Sequence, residues 1–241
     1  MAPYPSGPIN QWPAKPHDFR KVICEYRNAC LLFSKSLLRL IALSLDLEEE
    51  YFNNLTTFPM AGIRPLWYPT QDFDTDVGIG AHADYSCTCL KFSSLLTSDD
   101  LSCRENLYNN SGYIGFTLVN QLSMGVPALE VLNHNGHWVS APPIANTLVV
   151  NVGDFLERAT NDIFQSTVHR VINSTGKERY SIPYFFNPSY DAFIEVVPTC
   201  ITKEMPTQYK GIKAGDWQRQ RLISSRYKHP AVIAKYVSDQ L

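Results

Sequence analysis

Gly78-Ile79-Gly80-Ala81-His82-Ala83-Asp84-Tyr85-Ser86 is the stretch on which the reading of this chain turns. It reads as a strand, and on a strand residues i and i+2 point to one face. The His82 imidazole and the Asp84 carboxylate therefore project side by side. Such a pair needs a third ligand from another strand. His169, in Ser166-Thr167-Val168-His169-Arg170-Val171, is the candidate. Two His and one carboxylate on one face of a metal leave positions open, as Fe(II) requires to take up a co-substrate and O2 together. Zn(II) more often takes a closed or nearly closed tetrahedral set. An H-x-D triplet alone is weak evidence, because short motifs arise by chance and a lone strand His is more often structural. The other histidines read blandly: His134 and His137 flank a turn, and His17 and His229 sit beside prolines.

Ten residues after His169 comes Arg179-Tyr180-Ser181. Arg179 and Ser181 share a strand face by the same period-two rule. A guanidinium binds a carboxylate bidentately and a hydroxyl adds a further donor, so the pair can anchor one end of a dicarboxylate. Taken alone, the same two residues also read as a surface Arg beside a strand Ser. Tyr68, at the end of Trp67-Tyr68-Pro69, offers another donor or a core ring.

Outward from these residues the chain divides in two. From about Asp18 to Leu45, apolar residues such as Phe19, Val22, Tyr26, Cys30, Phe33, Leu37 and Ile41 recur at three- and four-residue steps. That spacing predicts a long amphipathic helix. Asp46 followed by Glu49 resembles a capping box and predicts a second, shorter helix. After Pro59, segments near 63–68, 79–92, 116–120, 128–132, 137–140, 146–152, 166–172, 180–186 and 192–197 are short and rich in Val, Ile, Tyr and Phe. Turn signals separate them, the clearest being Asn135-Gly136. Many short strands without intervening helices argue for an antiparallel sandwich or jelly roll. A last helix is expected over Trp217 to about Tyr227. Residues 88–115, with clusters of Ser, Asp and Asn, make one connection unusually long and read as an insert.

Composition narrows the class further. Of the 241 residues, 44% are hydrophobic and 18% charged, which suits one large globular domain with a buried core. The net charge of −2 gives no reason to expect nucleic acid or an anionic membrane as partner. The longest apolar stretch, around Leu37 to Leu47, is broken by Arg39, Ser44 and Asp46, so no membrane span is expected. No signal peptide is read in the first residues, and the six cysteines lack C-x-x-C spacing. They read as reduced thiols of a cytoplasmic protein.

Several segments occur in a fixed order: Gly78 to Ser86, Pro127 to Leu132, Gly136 to Val139, Asn146 to Leu156, Ser166 to Val171 and Arg179 to Pro188. Together they resemble the isopenicillin N synthase-like superfamily of 2-oxoglutarate/Fe(II)-dependent dioxygenases, over nearly all of residues 8–200. The resemblance implies a mainly β fold, a double-stranded β-helix (jelly roll) core with flanking α-helices. It implies Fe(II) on His82, Asp84 and His169. It implies 2-oxoglutarate as co-substrate, its distal carboxylate on Arg179 and Ser181 with Tyr68 reaching the same group. O2 would be consumed, succinate and CO2 released, and a small organic metabolite of secondary metabolism oxidised. Trp67, Phe185 and Tyr190 are candidate liners of the substrate pocket. Two departures stand out. The family's usual N-terminal region has no counterpart before Gly7, and 88–115 follows directly on the metal-binding strand. An oxidase resembling isopenicillin N synthase, which uses no 2-oxoglutarate, and an inactive truncated remnant are the alternative readings.

Overall fold

The computed structural model describes residues 10–70, 77–84 and 115–225. Helix α1 covers Phe19–Ser44, as the apolar spacing predicts. It ends because the chain reverses at Asp46, which adopts a left-handed φ of 54°. The amide of Leu47 then bonds the carbonyl of Ala42, and that of Asp46 bonds Leu43. This is a Schellman closure, with Asp in the place glycine usually takes. Asp46 therefore terminates a helix and does not open one. The expected second α-helix is absent: turns lead to a short 3₁₀ segment at Asn54–Thr56.

Among the described residues eleven strands follow: β1 (Pro59–Ile63), β2 (Leu66–Tyr68), β3 (Val77–His82), β4 (Phe116–Gln121), β5 (Leu129–Leu132), β6 (Trp138–Ser140), β7 (Val149–Val152), β8 (His169–Ile172), β9 (Arg179–Ser189), β10 (Phe193–Ile194) and β11 (Ile212–Lys213). Helix α2 (Asp154–Ala159) interrupts the run between β7 and β8, where the sequence pattern predicts strands alone. The expected terminal helix is α3, Ala214–Ser225. The β5–β6 hairpin forms at Asn135-Gly136, where Gly136 takes φ 75° and the Asn133 side chain accepts from the amides of Asn135 and His137. The expected strand beyond Asp84, residues 88–114 of the expected insert, and residues 1–9 lie outside the described residues. Gly115 bonds the Phe186 carbonyl through its amide and so belongs with β4.

Nine of the strands form two antiparallel sheets, ordered β1-β9-β4-β7 (with β2 also on β9) and β3-β8-β5-β6, and β10 pairs with β11 in a separate two-stranded sheet. Parity decides what each face of the first sheet meets. Phe116, Leu118, Tyr184 and Phe186 point outward, where Cys30, Leu37 and Ile41 of α1 cover them. Shortening Phe116 or Phe186 to Ala would cost about 3–5 kcal/mol. Thr117, Gln121, Arg179 and Ser181 occupy the opposite face, turned toward the second sheet, and are themselves buried. Polar residues on the inner face of a sandwich need partners there. This double-stranded β-helix thus keeps one apolar cluster beside α1, and between the sheets it places these polar side chains next to a second apolar cluster around Tyr68, Leu129 and Val171. Among the described residues no helix is long and apolar enough to cross a membrane.

Candidate metal centre

His82 ends β3 and His169 begins β8, and the two are direct cross-strand partners. Asp84 follows two residues on, where the chain leaves the strand. Its Oδ1 lies 3.5 Å from His169 Nε2 and 4.0 Å from His82 Nε2. One ligand atom from each residue falls within 4.8 Å of the others. All three side chains are largely buried.

The remaining polar atoms of the triad are already engaged. His82 Nδ1 lies 2.7 Å from the Gly80 carbonyl, and His169 Nδ1 lies 3.0 Å from the Thr167 carbonyl. A carbonyl only accepts, so each Nδ1 carries the proton and each Nε2 presents a lone pair to the centre. Burial, then the neighbouring His169, pushes the His82 pKa below its ordinary value, favouring the neutral form a metal needs. Asp84 Oδ2 accepts from Thr117 Oγ1 at 2.6 Å and from Asn151 Nδ2 at 2.5 Å. Thr117 and Asn151 are themselves cross-strand partners on β4 and β7. The donors left over are two imidazole nitrogens and one carboxylate oxygen. That borderline set, converging from one side, fits Fe(II).

On the inner face of β9, Arg179 and Ser181 are each 2% exposed. Arg179 donates to Ser181 Oγ and to Gln121 Oε1, both at 3.2 Å. Its guanidinium also lies 5.1 Å from the centre of the Tyr68 ring. Register explains the grouping: Tyr68 pairs with Arg179, and Gln121 pairs with Ser181. Burial lowers the Arg179 pKa and raises that of Tyr68, each opposed by the other. Among the described residues Arg179 has no carboxylate partner, and a buried cation held only by neutral groups suits an incoming anion. Thr117 and Gln121 sit four residues apart on β4, so the Asp84 end and the Arg179 end of the cleft are about 13 Å apart along the backbone. Tyr68 is also a core ring, packed with Ala128, Leu129 and Val171. The core-ring reading of Tyr68 thus holds in the structure.

Thr117, Gln121 and Asn151 carry no motif that singles them out in the sequence. The available signal is a polar side chain of inward parity within an apolar strand, as in Val149-Val150-Asn151-Val152. Of the candidate pocket liners, Trp67 is 59% exposed and donates to Glu178, and the Tyr190 ring packs against Gly215.

With this geometry in view, comparison with known proteins is specific. The 2OG-Fe(II) oxygenase superfamily matches residues 63–188, more than half of the chain. A 2-oxoglutarate-Fe(II) type oxidoreductase of Emericella nidulans is 36% identical over 222 residues, covering 89% of this chain and 55% of its own length. A homoarginine-6-hydroxylase of Arabidopsis thaliana is 32% identical over 203 residues, covering 82% and 52%. The crystal structure of a full-length Neurospora crassa protein in complex with alpha-KG superposes with a TM-score of 0.73 at 30% identity, covering 90% of this chain and 62% of that one. The chain belongs to the 2OG-Fe(II) oxygenase superfamily. It spans about half the length of the curated relatives it matches.

Proposed function

We propose that this chain is an Fe(II)- and 2-oxoglutarate-dependent dioxygenase that oxidises a small organic metabolite, releasing succinate and CO2. In this reading His82, Asp84 and His169 hold the iron, and Arg179 and Ser181, with Tyr68 beside them, hold the distal carboxylate of 2-oxoglutarate. The observation that carries it is one interior with a converging His-Asp-His set at one end and, at the other, a buried Arg that pairs with no carboxylate among the described residues.

Iron, when bound, supplies the activation of O2 that couples decarboxylation of the keto acid to oxidation of the substrate. The chain's own residues orient and shield. Thr117 and Asn151 hold Asp84 Oδ2, so that Oδ1 faces the metal position. Gln121, anchored on the Ala141 carbonyl at 2.9 Å, steadies Arg179. Tyr68, Leu129 and Val171 wall the interior against water. The cytoplasm is proposed as the compartment, supported by the free thiols of Cys24, Cys30 and Cys200 among the described residues.

The test is iron-dependent release of labelled CO2 from 2-oxoglutarate carrying the label at its first carbon, with matching succinate. Release that needs Fe(II) and is lost in Asp84→Ala supports the reading. O2 uptake that persists without 2-oxoglutarate would replace it with the oxidase alternative.

A further inference from the structure

Arg64 lies between β1 and β2, yet the pairing with β9 runs on through it. Ile63 pairs with Tyr184 and Leu66 with Ser181. The register is the same on both sides, so Arg64 falls opposite Pro183, and its amide bonds the Pro183 carbonyl at 3.0 Å. On the other flank of β9, Pro183 pairs with Val119 of β4. Ile63 and Tyr184 pack in the outer cluster beside α1, so by alternation Arg64 and Pro183 belong to the inner face.

The inner face of this sheet is therefore a series of rows. Gly62, Phe185 and Thr117 form one, and Thr117 holds the ligand Asp84. Leu66, Ser181 and Gln121 form another, and the last two hold Arg179. The row of Arg64 lies between them, about 7 Å from each along the strands. Arg64 is half-buried, and its charge interacts with two groups of this interior, the His82 ring on the opposite sheet and the Tyr68 phenol. An edge-strand Arg turned to solvent would not reach His82.

We propose that Arg64 selects the molecule to be oxidised by taking its carboxylate, while the Phe185 ring receives that molecule's apolar body. This rests on the proposed function. 2-Oxoglutarate leaves the middle row unused. With one carboxylate on Arg179 and the keto acid end toward the metal position, only its two methylene groups pass the level of Arg64. A guanidinium finds no acceptor on methylenes, so the acceptor it meets belongs to the second molecule. Five N–H donors let Arg64 keep a protein partner and still grip a ligand, and its planar fork matches a carboxylate. Phe185 stands in the row of Thr117, beside the metal position. Gly62 opposite it has no side chain, so β1 puts nothing against that flank of the ring. Arg64 and Phe185 are thus one row apart, an anion contact and a flat apolar wall of the kind a small-molecule site combines.

The test is anaerobic calorimetry and absorbance on the full chain loaded with Fe(II) and 2-oxoglutarate, titrated with phenylacetate, phenylacetamide or 2-phenylethylamine. These share a skeleton and differ in charge. Phenylacetate is expected to bind one to one, more tightly than the other two, and to shift the visible charge-transfer band of the iron–keto acid complex. Arg64→Gln should weaken phenylacetate about tenfold or more. Arg64→Lys, which keeps the charge but not the fork, should lose less. Neither should change the 2-oxoglutarate titration. Should the Gln variant fold poorly, the preference of the parent chain for the acid over its amide decides. No such preference, or equal phenylacetate binding by folded variants, would overturn the assignment. A loss of 2-oxoglutarate affinity in Arg64→Gln as large as that for phenylacetate would overturn it too, making Arg64 a co-substrate contact. If no band forms in the parent chain but phenylacetate binds in an Arg64-dependent way, the acid contact stands while the proposed function falls.

Discussion

His82 and His169 sit directly opposite each other across the β3–β8 ladder, ring centres 4.3 Å apart and planes tilted by 54°. A regular ladder would not pair them. Ile79 pairs with Val171, so Ala81 would meet His169 two steps on, yet His82 does. One extra residue on β3, a bulge, brings the imidazole round. A second irregularity falls between Val77 and Ile79, so Gly78 and Gly80 both lie in the irregular stretches. These glycines serve the site in different ways.

A Cβ on Gly78 would lie 2.9 Å from the Tyr68 ring and 3.2 Å from Val171, whereas one on Gly80 would meet nothing within 4 Å. Gly78→Ala is therefore expected to cost about 1–3 kcal/mol through overpacking and to weaken 2-oxoglutarate binding by displacing Tyr68. Gly80→Ala should be close to neutral. Urea unfolding and keto acid titration of the two variants, run side by side, check the contrast.

Asp84 Oδ2 takes two hydrogen bonds from the Thr117–Asn151 pair, and losing either donor frees the carboxylate to rotate. Asn151→Ala and Thr117→Val are expected to weaken Fe(II) binding about 10–100-fold, as removal of such supporting bonds does elsewhere. Thr117→Ser, which keeps the hydroxyl, should retain most of the affinity. Equilibrium competition with a coloured iron chelator measures all three.

Arg179 is buried without a carboxylate partner among the described residues, so replacing it strands no opposite charge. Arg179→Met should keep its unfolding midpoint close to that of the parent chain, since apolar replacement of buried charge is often neutral or stabilising. It should nonetheless lose about 3 kcal/mol of 2-oxoglutarate binding, roughly a hundredfold, with the charged bidentate contact. A variant that unfolds readily yet binds the keto acid normally would show Arg179 to be structural.

Tyr209 donates to Asp162 at 2.5 Å, and burial first, then this bond, pushes its pKa up to about 12. The folded state thus holds the phenolic proton more tightly than the unfolded chain, whose tyrosines ionise near pH 10. Stability from this group is complete below about pH 10 and is lost as the pH rises toward 12. Tyr26 and Tyr184, also raised by burial, add to the same alkaline loss. Tyr209→Phe should flatten, without abolishing, the fall of the urea midpoint across that window. An unchanged slope would show that Asp162 does not hold the proton in place.

How much of this was legible in the sequence follows from what each signal encodes. Side-chain parity placed His82 with Asp84 and Arg179 with Ser181, and helical spacing gave α1 within a residue or so at each end. Parity says nothing of register, however. The bulge that pairs His82 with His169 and the ladder that sets Thr117 beside Asn151 are long-range pairings with no local signature. Asp46 misled for a related reason: Asp suits an N-cap, yet it also tolerates the left-handed turn that ends a helix. Helix α2 went unseen because six residues are too few to display a helical period.

The central claim is that iron on His82, Asp84 and His169 and a keto acid anchored by Arg179 share one interior. Anaerobic addition of Fe(II) and then 2-oxoglutarate to the purified chain tests it most directly, followed by absorbance. A visible charge-transfer band should grow in with the keto acid to one equivalent of iron, fail in Asp84→Ala, and need far more 2-oxoglutarate in Arg179→Met. Iron that binds through Asp84 but yields no band at saturating 2-oxoglutarate would contradict the account.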